Sequence, residues 1–110
     1  MSRLTSDFWI AAYRQRLTLH AVPCVLTRKG DATAGAILIK ICTMDGQARV
    51  FHRQVDLLSG GRQWVVLVEG EEATCDASIE KQCGFDPDLW VLEVEDPQGR
   101  HFLDEPGLAE

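Results

Sequence analysis

Glu93 and Glu95, near the C-terminus, are the residues whose types and spacing first point to chemistry. They lie two positions apart in an apolar stretch, which places both carboxylates on one face of a strand, and His101 follows across a short turn. Clustered carboxylates bind hard divalent cations, and an imidazole can complete such a site. These three residues are therefore candidate metal ligands of a hydrolase. The simpler interpretation is that the two glutamates line the solvent-facing end of a strand.

A second candidate site follows from the hairpin predicted at Asp45-Gly46. This dipeptide is typical of a two-residue turn, so Ile41 is expected opposite Val50 and Ile39 opposite His52. Side chains that are directly opposed share a face of the sheet. The isoleucines are therefore expected to form the core face, and the alternate residues of both strands to form the other face.

The face opposite the isoleucines is predicted to be basic, with one aromatic ring. A second reversal at Thr33 would extend this face and bring Cys24 next to Cys42. Cations that follow phosphates beside an aromatic platform suit single-stranded nucleic acid. The alternatives are a solvated face, or contact with the acidic C-terminal half of the same chain or of a second copy. The predicted basic face consists of Arg28, Lys40, Arg49, Phe51 and Arg53.

The sequence contains no motif for covalent catalysis or for a cofactor. The four cysteines form no C-x-x-C pair and lack zinc-site spacing with histidine, so we interpret them as packing residues. Ser59 precedes two glycines without the G-x-S-x-G context of an activated serine. Neither glycine-rich stretch precedes a helix with the spacing of a phosphate-binding or dinucleotide-binding loop. We therefore expect no catalytic residue and no cofactor.

Periodicity and turn signals predict the elements that must position these residues. Apolar residues at helical spacing after Ser6, and again within 71–83, predict two helices. The order α-β-β-β-β-α-β predicts an α+β fold, with a mainly antiparallel sheet of about five strands and both helices on one face. Residues 1–110 are expected to form a single domain, in which 106–110 are a frayed tail. The predicted strands span 24–29, 36–44, 47–55, 64–69 and 89–95.

Composition and charge narrow the functional classes. Of the 110 residues, 45% are hydrophobic and 25% are charged, as in an ordinary soluble domain. The net charge of −6 disfavours a dedicated nucleic-acid binder, but residues 1–62 carry +5 and residues 63–110 carry −11. No apolar run approaches the ~20 residues that span a bilayer, and charged residues interrupt the N-terminus where a signal peptide would be apolar. We therefore expect a cytoplasmic protein without a membrane partner.

Three stretches of the sequence together resemble one family. They are Arg3-Leu4-Thr5-Ser6-Asp7-Phe8-Trp9, Gly30-Asp31-Ala32-Thr33-Ala34-Gly35-Ala36, and Phe85-Asp86-Pro87-Asp88-Leu89-Trp90 with the acidic segment that continues to Glu105. This pattern covers nearly the whole chain and is similar to a small proteobacterial family known as domain of unknown function 1491. The resemblance implies a single-domain bacterial cytosolic protein. It supplies no activity and no catalytic residue.

The function predicted from these observations is a non-enzymatic protein-interaction module. No catalytic group stands out, whereas the opposite charges of the two halves offer complementary surfaces. The expected partner is another protein or a second copy of this chain. Two alternatives stay open: single-stranded nucleic-acid binding through the predicted basic face, and metal-dependent hydrolysis through the acidic C-terminal cluster.

Overall fold

The computed structural model describes residues 4–109, which form two helices and one five-stranded sheet. Three of the four strand pairs are antiparallel, and this arrangement and the element order confirm the predicted α+β class. In chain order the elements are α1 (Ser6–Leu19), β1 (Cys24–Arg28), β2 (Ile37–Cys42), β3 (Gln47–Val55), β4 (Arg62–Glu71), α2 (Glu72–Phe85) and β5 (Trp90–Glu95).

The last strand of the chain lies inside the sheet. The spatial order is β1-β5-β2-β3-β4, with β5 antiparallel to β1 and parallel to β2. The predicted pairing of β1 with β2 about Thr33 is therefore wrong, because each of these strands pairs with β5 instead, although they do run in opposite directions. Cys24 packs on one face of the sheet and Cys42 on the other, so the prediction that they are cross-strand neighbours is also wrong.

The segment between β1 and β2 receives the start of β5. The backbone N–H of Asp31 donates to the carbonyl oxygen of Asp88 at 3.0 Å, and the indole N–H of Trp90 donates to the carbonyl oxygen of Asp31 at 2.7 Å. A Cβ atom at Gly30 or Gly35 would collide with the same Asp88 carbonyl oxygen, so this close approach requires glycine at both positions. Two of the stretches that carry the family resemblance thus pack against each other.

The β2–β3 hairpin has a register that differs by one residue from the predicted one. Ile41 pairs with Arg49 rather than with Val50, because the turn has three residues, 44–46, instead of the two expected. The backbone N–H of Thr43 still donates to the carbonyl oxygen of Gln47 at 3.2 Å. A shift of one residue moves every side chain of a strand to the opposite face. Arg49 therefore faces the same side as the isoleucines, and Lys40 faces the other side.

One helix covers each face of the sheet. On the first, which we call the α1 face, Trp9, Tyr13 and Leu17 pack against the isoleucines of β2 and the apolar residues of β5. On the second, the α2 face, Cys75 packs against residues that include Val50. The prediction that both helices lie on one face is wrong, because β2 is buried along its whole length and needs cover on both sides.

The C-terminal residues pack against α1 and β4. Leu108 is buried, and its carbonyl oxygen accepts hydrogen bonds from the indole N–H groups of Trp9, at 3.2 Å, and Trp64, at 2.9 Å. The prediction that 106–110 fray is therefore wrong for Leu108. Glu110, the last residue of that predicted tail, lies outside the described residues.

Candidate functional site

The predicted basic face is divided between the two sides of the sheet. Phe51 is buried in the core beneath α1, so its ring provides no platform for a nucleic-acid base. This division removes the surface on which the nucleic-acid hypothesis depends. Of the five residues, Arg28 and Lys40 lie on the α2 face, and Arg49, Phe51 and Arg53 lie on the α1 face.

Lys40 is a buried cation surrounded by carboxylates. Its side chain is 3% exposed, and Nζ lies 2.6 Å from Asp76 Oδ1, 2.9 Å from Glu72 Oε1 and 3.7 Å from Glu93 Oε1. Burial by itself lowers the pKa of Lys40, but the hydrogen bonds to Asp76 and Glu72 outweigh burial and raise it. Lys40 is therefore charged at neutral pH and connects the centre of the sheet to α2.

The same carboxylates form a small cleft with Cys42. Possible ligand atoms of Cys42, Glu72 and Glu93 lie within 4.8 Å of one another, and Glu95 lines the same cleft. Burial raises the pKa of the Cys42 thiol to about 12, so this side chain is a neutral thiol beside the carboxylates at neutral pH. The Lys40 ammonium already neutralises part of this cluster. The observed arrangement is therefore explained by an internal ion-pair network.

His101 lies on the α1 face, away from the glutamates. Its ring centroid is 4.7 Å from that of Phe51, and its Nδ1 accepts a hydrogen bond from the backbone N–H of Leu103 at 2.9 Å. Burial lowers the pKa of His101, which favours the neutral imidazole. The predicted metal ligands Glu93, Glu95 and His101 therefore do not converge, since a sheet separates the imidazole from the carboxylates.

Arg53 lies against two indole rings that are in contact with each other, with their centroids 5.0 Å apart. Its guanidinium carbon lies 5.5 Å from the ring centroid of Trp9 and 5.1 Å from that of Trp64. Both indole N–H groups bind the Leu108 carbonyl, so the rings are themselves fixed. Cation–π contacts of this kind restrict the orientation of a guanidinium as well as attract it.

A cavity of about 550 Å³ opens where β2 begins, between the N-terminal end of α1 and the C-terminal end of α2. Residues 33–36 also contribute to its wall. Sequence reasoning missed this cavity because its lining comes from five segments that are far apart in the chain, and no local pattern connects them. Its wall includes the apolar residues Ile37, Leu38 and Leu89 and the polar residues His52, Arg53 and Arg62.

Strand β4 forms one edge of the sheet and carries exposed apolar side chains. Val66, in the middle of the strand, is 42% exposed. Leu57 and Leu58, in the loop between β3 and β4, are 93% and 99% exposed. Consecutive leucines in solvent are unusual, and they adjoin the edge of the sheet, beyond which residues 4–109 supply no further strand.

None of the helices among residues 4–109 is long and apolar enough to cross a membrane.

Comparison with known proteins gives one family. A family model named DUF1491, protein of unknown function, matches residues 4–104. A crystal structure and an NMR structure of a DUF1491 family protein from Caulobacter crescentus CB15 both give a TM-score of 0.83, at 40% and 41% identity; each comparison covers 96% of this chain and 97% of the other. The solution structure of protein Atu0922 from A. tumefaciens gives a TM-score of 0.74 at 25% identity, over 86% of each chain. No curated protein matches the chain.

The family model covers nearly the whole sequence, and the similar structures share its fold over almost their full length. These findings confirm the resemblance seen in the sequence and indicate no specific activity. The chain therefore belongs to the DUF1491 family of proteins of unknown function.

Proposed function

We propose that this protein is a non-enzymatic protein-interaction module that self-associates along strand β4. The observation that supports this is the free edge of the sheet: β4 is ten residues long and has one described neighbour, β3. An edge strand offers backbone N–H and C=O groups that a second strand can bind. The exposed side chains of Val66, Leu57 and Leu58 add apolar area to this edge.

The opposite edge of the sheet, formed by β1, is better protected against pairing with another strand. Strand β1 has five residues and a bulge before Arg28. The Arg28 guanidinium donates to the carbonyl oxygens of Leu89 and Pro87, both at 3.1 Å. Short length, a bulge and a charged side chain all discourage strand addition. Strand β4 also has an irregularity at Leu67, but regular pairing with β3 continues on both sides of it.

The charges of β4 suit a second copy of the same strand. Arg62 is the first residue of β4, and Glu69 and Glu71 are near its end. When two copies pair antiparallel about Val66, the basic end of each strand lies beside the acidic end of the other. Such an interface is self-complementary, and salt weakens it by screening the charges.

Sedimentation or light scattering of matched variants tests this function. At low salt, the average mass of the wild type is expected to rise toward that of a dimer as the protein concentration increases. At high salt, the mass is expected to return to that of a monomer. Val66→Lys is expected to stay monomeric, because the ammonium would be placed at the centre of the paired edge. The control is Val25→Lys in β1, where a valine of similar exposure (52%) is replaced, and this variant is expected to associate like the wild type.

Two results contradict the proposal. One is a wild-type protein that stays monomeric at every concentration tested in low salt. The other is an equal loss of association in Val66→Lys and Val25→Lys, since the interface would then not be specific to β4.

We also propose a cytosolic location. All four cysteines are free thiols, and thiols persist in reducing compartments. Fractionation of cells that express the tagged protein tests this, and recovery from the periplasm would contradict it.

A further inference from the structure

We propose that residues 101–108, which we call the C-terminal strap, are released from the α1 face when His101 takes up a proton. The strap follows β5 and the turn after it, and packs against α1. The inference is independent of the self-association proposed for β4, because it concerns contacts within one copy of the chain.

One stripe of α1 holds the strap. Positions 9, 13, 16 and 20 follow one another at steps of four, three and four residues, which places them along one side of the helix and its C-cap. Each contacts one residue of the strap. The contacts are the Trp9 indole N–H with the Leu108 carbonyl oxygen at 3.2 Å, the Tyr13 hydroxyl with the His101 carbonyl oxygen at 2.9 Å, Arg16 Nε with Glu105 Oε1 at 3.0 Å, and the ring of His20 with that of Phe102, whose centroids are 4.7 Å apart. These separate contacts can be lost together without breaking any pairing between strands.

The side chain of His101 holds the turn at the start of the strap. Its Nδ1 accepts a hydrogen bond from the backbone N–H of Leu103 at 2.9 Å, and this bond spans Phe102. Phe102 has a φ of 59°, in the left-handed region that bulky side chains disfavour. Leu103, the next residue, is buried in the core beneath α1. The imidazole therefore holds a strained turn that places a core residue.

A protonated imidazole cannot make this hydrogen bond. An imidazolium carries hydrogen on both ring nitrogens, so Nδ1 of His101 becomes a donor. It then faces the N–H of Leu103, which is also a donor and loses its partner. Protonation therefore removes the bond that holds the turn, and the strain at Phe102 then favours release.

The groups around His101 determine the direction of the pH dependence. Burial lowers the pKa of His101, Arg49 of β3 lowers it further, and Asp104 of the strap opposes both. Arg49 is paired with Glu69 of β4 at 3.1 Å, and the Tyr13 hydroxyl of α1, whose pKa burial raises, stays neutral. The lowered pKa belongs to the closed strap. His101 therefore stabilises the closed strap fully above its ordinary pKa of 6.5, and this contribution is lost as the pH falls below 6.5.

Release of the strap uncovers aromatic rings of the core. Leu103 and Leu108 are the buried apolar residues of the strap, and they belong to the same core as Trp9 and Phe51. When these leucines leave, the rings beneath them become accessible to solvent. The α1 face thus gains an apolar surface at acidic pH that it lacks at neutral pH.

NMR of the indole N–H groups from about pH 7.5 to about pH 5 tests the proposal. Trp9 and Trp64 both donate to the Leu108 carbonyl, so their indole signals report on the strap. Both are expected to shift toward the position of a water-exposed indole, with a midpoint below pH 6.5. The ratio of released to closed strap should rise by about tenfold, the change expected from the loss of one buried hydrogen bond. The indole of Trp90, which donates to the carbonyl oxygen of Asp31 at 2.7 Å, is the internal control and should not move.

High salt keeps this test separate from the proposed self-association, which it is expected to suppress. A result at high salt therefore reports on the strap of a single copy, whether or not copies associate along β4 at low salt.

Two substitutions separate the protonation of His101 from its packing. His101→Asn keeps an acceptor, because an asparagine side chain can bond the N–H two residues later, and it does not titrate, so the strap should stay closed at both ends of the pH range. His101→Leu keeps an apolar contact with Phe51 but removes the acceptor, and should show shifted Trp9 and Trp64 signals already at neutral pH. The control His20→Gln removes the other imidazole that contacts the strap and should respond to acid like the wild type.

The proposal is overturned if the Trp9 and Trp64 signals stay in place at about pH 5, or if His101→Asn responds to acid as the wild type does. It is also overturned if the Trp90 signal moves with the other two, since acid would then unfold the sheet rather than release the strap. Loss of the acid response in His20→Gln would contradict the role given to His101. The comparison of the wild type with His101→Asn is decisive even if His101→Leu does not fold.

Discussion

Replacing Lys40 by methionine is the perturbation that best tests how the sheet is joined to α2. Methionine keeps most of the buried aliphatic chain but removes the ammonium, which leaves Glu72, Asp76 and Glu93 close together without their shared cation. Lys40→Met therefore isolates the loss of charge from the loss of packing.

The structure sets the size of the expected effect. Removing one partner of a buried ion pair costs about 3–5 kcal/mol, because the remaining charge is left uncompensated. Here the lysine is 3% exposed but its partners Glu72, Asp76 and Glu93 are 41%, 57% and 31% exposed, so water can solvate them in part. We therefore expect the lower end of that range, about 3 kcal/mol, a large share of the about 5–15 kcal/mol typical of a small domain.

Urea unfolding monitored by tryptophan fluorescence at neutral pH measures this loss. The control is Arg49→Met, since the Arg49–Glu69 pair is exposed on both sides and its removal should cost below about 1 kcal/mol. Adding Glu72→Gln and Asp76→Asn to Lys40→Met should recover much of the stability, because the unpaired carboxylates cause most of the loss. A loss for Lys40→Met no larger than that of the control would refute the reasoning, as would further destabilisation by the two amide substitutions.

The same network predicts how stability depends on high pH. The pKa of Lys40 is raised above its ordinary value of 10.5 by Asp76 and Glu72, despite the opposing effect of burial. A group with a raised pKa in the folded state contributes its full stabilisation below its unfolded pKa and loses it as pH rises above that value. The stability difference between the wild type and Lys40→Met should therefore shrink above pH 10.5. Taking the difference cancels the contribution of Tyr13, which both proteins share, whereas Cys42 and Cys75 interact with the Lys40 ammonium and stay part of the measured difference.

Two further predictions concern the C-terminal third of the chain. Asp96→Asn should cost about 1–2 kcal/mol at pH 7, because the buried Asp96 carboxylate accepts hydrogen bonds from the backbone N–H of Gln98 and from Arg100. The hydrogen bonds from Arg100 hold the pKa of Asp96 below its ordinary 3.8. The wild type is therefore more stable than Asp96→Asn above pH 3.8 and loses this extra stability as pH falls further. A stability difference between the two proteins that persists at low pH would contradict this. Leu108→Ala should cost about 2 kcal/mol in urea unfolding, since the side chain is buried; a cost below about 0.5 kcal/mol would mean that the C-terminal residues are frayed after all.

Alternation along a single strand was predictable from sequence. Glu93 and Glu95 lie on one face of β5 as predicted, and the apolar residues alternate in the same way: Trp90, Leu92 and Val94 lie in one core, and Leu89 and Val91 lie in the other. This works because side chains of a strand alternate with a period of two, whatever the strand pairs with. The number, type and order of elements were predictable for a similar reason, since each depends on a local pattern.

Pairing between strands was less predictable. The Asp45-Gly46 signal located the β2–β3 hairpin, but the turn has three residues, 44–46, instead of two. This one-residue difference places Lys40 and Arg49 on opposite faces. The insertion of β5 between β1 and β2 was not predictable from the sequence around Thr33. No local pattern there indicates that a strand about 60 residues later in the chain lies between β1 and β2.

The candidate sites depended on these non-local contacts. The predicted basic face does not form, because the observed register of the β2–β3 hairpin places Lys40 and Arg49 on opposite faces of the sheet. The predicted metal ligands do not meet, because His101 and Glu93 are on different sides of the sheet. The ion-pair network of Lys40 and the cavity lined by Arg53 both combine residues that only the folded chain brings together. The sequence did indicate the family correctly. Gly30 and Gly35, in one of the stretches that carry the resemblance, pack against Asp88 just before β5.

Hydrogen exchange at increasing protein concentration tests most directly the claim that copies of this chain associate along β4. At low salt, peptides that cover Arg62–Glu71 should gain protection as concentration rises, because a second strand would bind the free N–H groups of this edge, while peptides that cover Cys24–Arg28 should not change. Protection that does not depend on concentration in β4, or that rises equally in β1, would contradict the account.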